Sequence, residues 1–194
     1  MEPITLAFRR VEGFTDEEFY DFCLDNNTLK FERTANGEII VMSNTGGITG
    51  NRNSEINFQL YAWNRVYGLG KVFDSSTAFR LANSAVRSPD AAFVRAENWN
   101  ELTNEQKKKF PPVCPAFVIE LKSDSDTVAS LRKKIVEDWM PNGCCLAWLI
   151  DADEQKAYIF RPDAPEMFHE DFAQPLTDDD LLPHFALNLT ALIE

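Results

Sequence analysis

The 194-residue chain is short of positive charge: 19 lysines and arginines stand against 31 aspartates and glutamates, a formal net charge of −12. That balance repels a polyanion at long range, so any nucleic-acid role has to come from local features of a site. Long apolar runs are also missing. None approaches the ~20 residues that a bilayer-spanning helix needs, so no membrane association is expected. The N-terminal MEPITLAFRR lacks a basic segment followed by an apolar stretch, so no secretion signal is expected there. The C-terminus carries no lipidation motif. Histidine occurs only as His169 and His184, both in the tail, far in sequence from any motif. Cys23, Cys114, Cys144 and Cys145 include no C-x-x-C pair, which argues against zinc. They read as buried free thiols of a protein in a reducing compartment, hence cytoplasmic.

What is present suffices for one domain with a hydrophobic core, spanning 1–194. Thr15 followed by Glu18 forms a capping box ahead of an amphipathic helix over 15–26. Strands near 28–34 and 38–42 flank Asn36-Gly37, a hairpin signal. The Gly-rich 43–50 leads into a long helix carrying Ile56, Leu60 and Trp63, stopped by Gly68 and Gly70. Short strands follow at KVFDSS, TAFRLA and AAFV, then a charged surface helix from Trp99 to Lys109. PAFVIELK reads as a central buried strand. Asp126 or Thr127 caps a helix to about Trp139, ended by Pro141-Asn142-Gly143. CLAWLID and AYIFRP are strands joined by a turn at 153–155, and the tail from 162 holds short elements. The order describes an α/β (α+β) domain around a mixed sheet.

The chemistry-bearing pattern is Pro89-Asp90 followed thirty residues later by Glu120-Leu121-Lys122. Glu120 and Lys122 are two apart on a strand and share a face. Their apolar neighbours make it a covered face, where charges are normally paired or metal-bound. Two carboxylates can hold Mg²⁺, which accepts few protein ligands and keeps its waters. A lysine beside them can orient a water and offset charge on a phosphorane. Alone, P-D and E-x-K also suit an exposed sheet edge, and Glu32 in FER suits an ordinary strand. Gly46-Gly47 with Thr49-Gly50 fits a phosphate cradle less well than close helix–sheet packing. Asp74-Ser75-Ser76 reads as a turn at a site rim, Asp124 and Asp126 as helix caps, and Trp63, Trp139 and Trp148 as core.

The segments DEEFYDF, FERTANGEIIVMS, TGGITGNRNSEI, LGKVFDSSTAFRL, RSPDAAFV, FVIELKSDSD and NGCCLAWLIDADEQKAYIFRP, collinear over roughly 10–162, resemble the Uma2 family (DUF820), in particular a cyanobacterial subgroup. The resemblance implies a PD-(D/E)xK, restriction-endonuclease-like fold with an αβββαβ core over about 10–162 and an irregular C-terminal extension. It implies catalytic Glu32, Asp90, Glu120 and Lys122, with Asp90, Glu120 and Glu32 on a Mg²⁺ (or Mn²⁺) ion. Many relatives instead carry their lysine on the following helix, near Ile135 here, so Lys134 is the alternative to Lys122. Many also have a histidine where this chain reads Gly50-Asn51-Arg52-Asn53.

The activity implied is metal-dependent endonucleolytic cleavage of nucleic acid, with DNA as the expected substrate and a homodimer expected by analogy. Arg52, Arg80, Arg87 and Lys122 are expected to make the site locally basic. Two other readings stay open: a nuclease fold without activity serving as an interaction or regulatory module, and a site for a small phosphate ligand.

Overall fold

The computed structural model describes residues 4–6 and 14–193. The expectations about the first ten residues and the start of the core at 10 lie outside those residues, apart from strand β1 (Ile4–Leu6). Helix α1 (Asp16–Asp25) starts as its sequence dictates. Thr15 accepts from the Glu18 amide while the Glu18 carboxylate returns to the Thr15 amide, so two otherwise unpaired donors are satisfied. Strands β2 (Lys30–Arg33) and β3 (Ile39–Met42) pair antiparallel around a turn whose Gly37 has φ 83°. Helix α2 (Gly47–Tyr67) ends on Gly68 in the left-handed region, φ 66°.

Next come β4 (Gly70–Asp74), β5 (Phe79–Arg80), β6 (Val86–Arg87) and β7 (Ala91–Arg95). The surface helix expected from Trp99 to Lys109 is two helices, α3 (Ala96–Glu101) and α4 (Asn104–Lys108). Thr103 breaks it, because with Gln106 it forms a fresh capping box. After β8 (Phe117–Leu121), α5 (Val128–Lys134) is capped by Thr127. It continues as a π-helical turn over Ile135–Trp139 and a 3₁₀ turn over Met140–Asn142, closed by Gly143 at φ 105°. Strands β9 (Leu146–Asp151) and β10 (Lys156–Phe160) form a hairpin, and β11 (Met167–His169), β12 (Leu176–Thr177), β13 (Ala186–Leu187) and a last 3₁₀ turn make up the tail.

The central sheet runs β11-β10-β9-β8-β7-β4. It is mixed: β8 and β9 are parallel, joined through α5, and the other neighbours are antiparallel. The order α2-β4-β7-β8-α5-β9 is thus the expected αβββαβ core. Phe117, Ile119 and Leu121 face α2, packing with Ile56, Leu60, Trp63 and the tail. Val118 and its neighbours Ala147 and Leu149 face α5, packing with Leu131, Ile135 and Trp139. A second sheet, β1-β3-β2-β6-β5, lies alongside and contributes Glu32 and Arg87.

One glycine reading is overturned. A Cβ at Gly46, Gly47 or Gly50 would meet nothing within 4 Å, so close packing does not explain these residues. The close approach is at Gly70, where a Cβ would run into the Val94 carbonyl and the Phe93 ring.

Candidate active site

Alternation along β8 sends Glu120 to the same side as Val118, onto the face that α5 covers. There it is 2% exposed. A buried carboxylate needs donors, and the helix supplies them. Lys134 Nζ lies 3.1 Å from the carboxylate and Trp139 Nε1 donates to Oε1 at 2.7 Å. Lys134 also reaches Glu32 Oε1 at 3.0 Å and donates to the Ser88 carbonyl at 2.7 Å. Glu32, likewise 2% exposed, accepts from Arg87 at 2.8 Å and from the Ser88 amide at 2.9 Å. Arg87 is shared with buried Asp138 at 2.7 Å. Asp90, just ahead of β7, accepts from the Leu121 amide at 2.7 Å and from Asn53 Nδ2 at 3.0 Å. Asn57 of α2 holds its backbone carbonyl at 2.9 Å. Glu32, Asp90 and Glu120, distant in sequence, are thus gathered about the start of the β7–β8 pair with Lys134 among them.

The three carboxylates differ electrostatically. Burial pushes Glu120 up to about 7, with Lys134 pulling the other way and Asp90 and Glu32 adding to the rise. Burial also raises Asp90, more than the Leu121 amide and Lys134 lower it. For Glu32 burial is outweighed by Lys134, Arg87 and the Ser88 amide, so it stays below the usual glutamate range. Burial disfavours the Lys134 cation, but Glu120 and Glu32 outweigh it and hold the ammonium charged.

Lys122 does not join the cluster. It follows β8 on the face of Glu120, as alternation requires, but the parallel β8–β9 register sets it beside Asp151. The two pair at 3.4 Å. Nor do the three arginines expected to make the site basic stand free around it. Arg52 pairs with Asp153 and the Leu192 carbonyl, Arg80 pairs with Asp16, and Arg87 is buried between Glu32 and Asp138. Asp126 does not cap α5; its carboxylate accepts from the Ser123 amide and hydroxyl. His169 bonds to the tail backbone and His184 packs on Tyr67, so neither meets the cluster.

Sequence reasoning took Trp139 for core alone and gave Asp138 no part. Residues five apart on an α-helix point ~140° away from each other. The π-helical turn, whose Met140 amide bonds to the Ile135 carbonyl, changes that spacing. It lets Lys134 and Trp139 converge on Glu120 while Asp138 meets Arg87. Only the arginine gave a signal, by standing beside the Ser-Pro-Asp segment.

Asp90, Glu120 and Lys134 line a cleft of about 380 Å³ that also takes in Ser88 and Asn53. Among the described residues, no group of three or more His, Cys, Asp or Glu side chains forms a metal cage. Mg²⁺ and Mn²⁺ need no cage, since one or two carboxylates and several waters serve them. Among the described residues, each Asp90 oxygen accepts one bond and keeps a free lone pair, and Asn53 Oδ1 beside it is buried without a partner. Hard, under-satisfied oxygens of this kind fit such an ion at Asp90, with Glu120 able to join through Oε2, where Lys134 is the donor and Trp139 is not. Glu32 fits it less well, because its two oxygens already serve Arg87, Ser88 and Lys134.

Fold and cluster together define a protein of the restriction-endonuclease-like class. The chain belongs to the Uma2 family, whose model, described as "Putative restriction endonuclease", matches residues 16–190. It is similar to a crystal structure from Anabaena variabilis ATCC 29413, described as "a putative nuclease belonging to DUF820". The two are 18% identical with a TM-score of 0.70, over 84% of this chain and 88% of that one. At that identity the likeness is one of fold. No curated protein matches the chain.

Proposed function

We propose that the cleft hydrolyses phosphodiester bonds of nucleic acid with the help of Mg²⁺ or Mn²⁺, acting as an endonuclease. The observation that carries this reading is the gathering of Asp90, Glu120 and Lys134 from a loop, a central strand and a helix into one open cleft. A purely structural ion pair would not need to line a cleft.

Asp90 and Glu120 would hold the ion. When bound it supplies positive charge to the phosphoryl oxygen and acidifies a water. The remaining roles belong to the chain. Lys134, fixed at 3.0–3.1 Å from Glu32 and Glu120, places a cation where charge builds on the phosphorus oxygens. Glu32 orients that ammonium, and Arg87 with Asp138 orients Glu32. Trp139 holds the Glu120 carboxylate in one rotamer. Asn53 and the Leu121 amide do the same for Asp90. This reading makes Lys134, not Lys122, the working lysine.

Four free cysteines suit a reducing, cytoplasmic setting. The analogy with restriction enzymes also predicts a homodimer, which light scattering of the purified protein checks. One observation favours the non-enzymatic reading: Lys134 and Trp139 already satisfy much of Glu120.

The test is cleavage of labelled single- and double-stranded DNA and RNA, with Mg²⁺ or Mn²⁺, by wild type and Glu120→Gln. Metal-dependent cleavage lost in the variant supports the nuclease. No cleavage by either, with no metal uptake, supports the non-enzymatic descendant.

A further inference from the structure

The active-site cleft does not stand alone. A second hollow, of about 750 Å³, shares Lys30, Met42, Ser43, Asn44 and Asn53 with it. The two make one groove. It runs from Asp90 and Glu120, past Asn53, to the β3–α2 loop and the turn between α1 and β2 that carries Asn27.

Its lining has an unusual charge balance for a polyanion site. Among the described residues the cations lining it are Lys30 and Lys134, and Lys134 is already committed to Glu32 and Glu120. The carboxylates are Asp74, Asp90, Glu120, Asp124 and Asp126. Arg52, Arg80, Arg87 and Lys122, the cations expected to make the site basic, line neither hollow and are already paired. A duplex held by its backbone requires many lysine and arginine contacts to phosphate. The described lining of this groove, in a chain of net charge −12, does not supply them.

What it does offer is amides and hydroxyls. Asn27 and Asn44 are exposed on loops, with Ser43 and Thr45 beside Asn44. Leu29, 51% exposed, gives the same wall an apolar patch. An asparagine amide presents a donor and an acceptor together, which matches the edge of a base. Those edges are fully available only when the base is unpaired. An apolar side chain can lie against the face of such a base.

We infer that this groove binds an unpaired nucleic-acid strand through its bases, leading it to the carboxylate cluster, and that duplex is a poor ligand. The inference rests on the nuclease reading of the cluster and adds to it the class of substrate. Asn27 and Asn44 act in binding and not in the chemistry.

The test has two arms. In the first, fluorescence anisotropy measures binding of one labelled oligonucleotide sequence as single-stranded DNA, single-stranded RNA and duplex DNA, with Mg²⁺ present and Glu120→Gln preventing cleavage. The single strand should bind at least about tenfold tighter than the duplex. Its affinity should fall by less than about tenfold between about 50 and about 200 mM salt, where six to ten phosphate contacts would cost 10³-fold or more. In the second, Asn27→Ala and Asn44→Ala should raise KM for cleavage of the single strand several-fold and leave kcat unchanged.

Equal or tighter duplex binding, a steep salt dependence, or an unchanged KM in both variants overturns the inference while leaving the nuclease standing. Tight single-strand binding without any cleavage by wild type removes the nuclease and keeps the groove. Absence of both binding and cleavage removes both.

Discussion

Glu120 is held between a proton and a charge. Burial raises it to about 7, from an ordinary 4.5, while Lys134 and Trp139 favour the anion. A carboxyl whose folded pKa is raised contributes stability below its unfolded value. That contribution is lost as pH rises through the folded value. Glu120→Gln should therefore become more stable relative to wild type between about pH 5 and about pH 8. Urea midpoints at both pH values check this, and a constant difference contradicts it. The two lysines separate in the same way at the residue scale. Lys134→Met should lower cleavage by on the order of 10²-fold or more, as losing a charge-stabilising donor does. Lys122→Met should leave the rate close to wild type, because Lys122 serves Asp151. Single-turnover rates on one oligonucleotide decide between them. The sequence showed that a carboxylate at 120 and a lysine must share a covered face. It did not show which lysine, because a lateral neighbour on β9 takes Lys122 and only the register of two strands reveals that neighbour.

At the scale of elements, the π-helical turn that follows α5 is what completes the cluster. It brings Trp139 to Glu120 and Asp138 to Arg87 from positions that a regular helix would turn elsewhere. Trp139→Phe keeps most of the ring but removes the N–H, leaving a buried carboxylate short of a donor. It should cost about 1–3 kcal/mol of stability. It should also lower kcat with little change in KM, since Trp139 positions Glu120 and does not touch substrate. Chemical denaturation and steady-state kinetics together read both effects. Elements with local signals were legible in advance: the Thr15–Glu18 box, the Asn36-Gly37 hairpin and the stop at Gly68. Local signals also misled at Thr103, where a second capping box hides inside a charged stretch that looks continuous. The π-turn had no such signal, because the helix-compatible spacing of Leu131, Ile135 and Trp139 continues through it.

At the scale of the whole molecule, α1 is fastened across the second sheet by ion pairs that a count of charges does not show. Asp16 of α1 receives both Arg33 and Arg80. Burial raises the Asp16 carboxyl, but Arg80 and Arg33 outweigh burial and hold it below its ordinary value. A carboxyl lowered in this way stabilises the fold above its unfolded pKa, and that support is lost as pH falls through the folded value. Asp16→Asn should thus be less stable than wild type near neutral pH, with the gap closing as pH falls below the ordinary aspartate range, as thermal melts across pH would record. The mixed central sheet and the αβββαβ core could be anticipated from patterning and resemblance. The pairing of the arginines near the motifs could not, since each finds its carboxylate only after folding.

The account depends on Asp90 and Glu120 forming a place for one divalent ion, so the direct measurement is calorimetric titration of Mn²⁺ into wild type and Asp90→Asn. It predicts about one ion per wild-type chain, in line with the two-carboxylate site described, and loss of that ion in a variant that remains folded. Absence of uptake by wild type, or equal uptake by both, would contradict it.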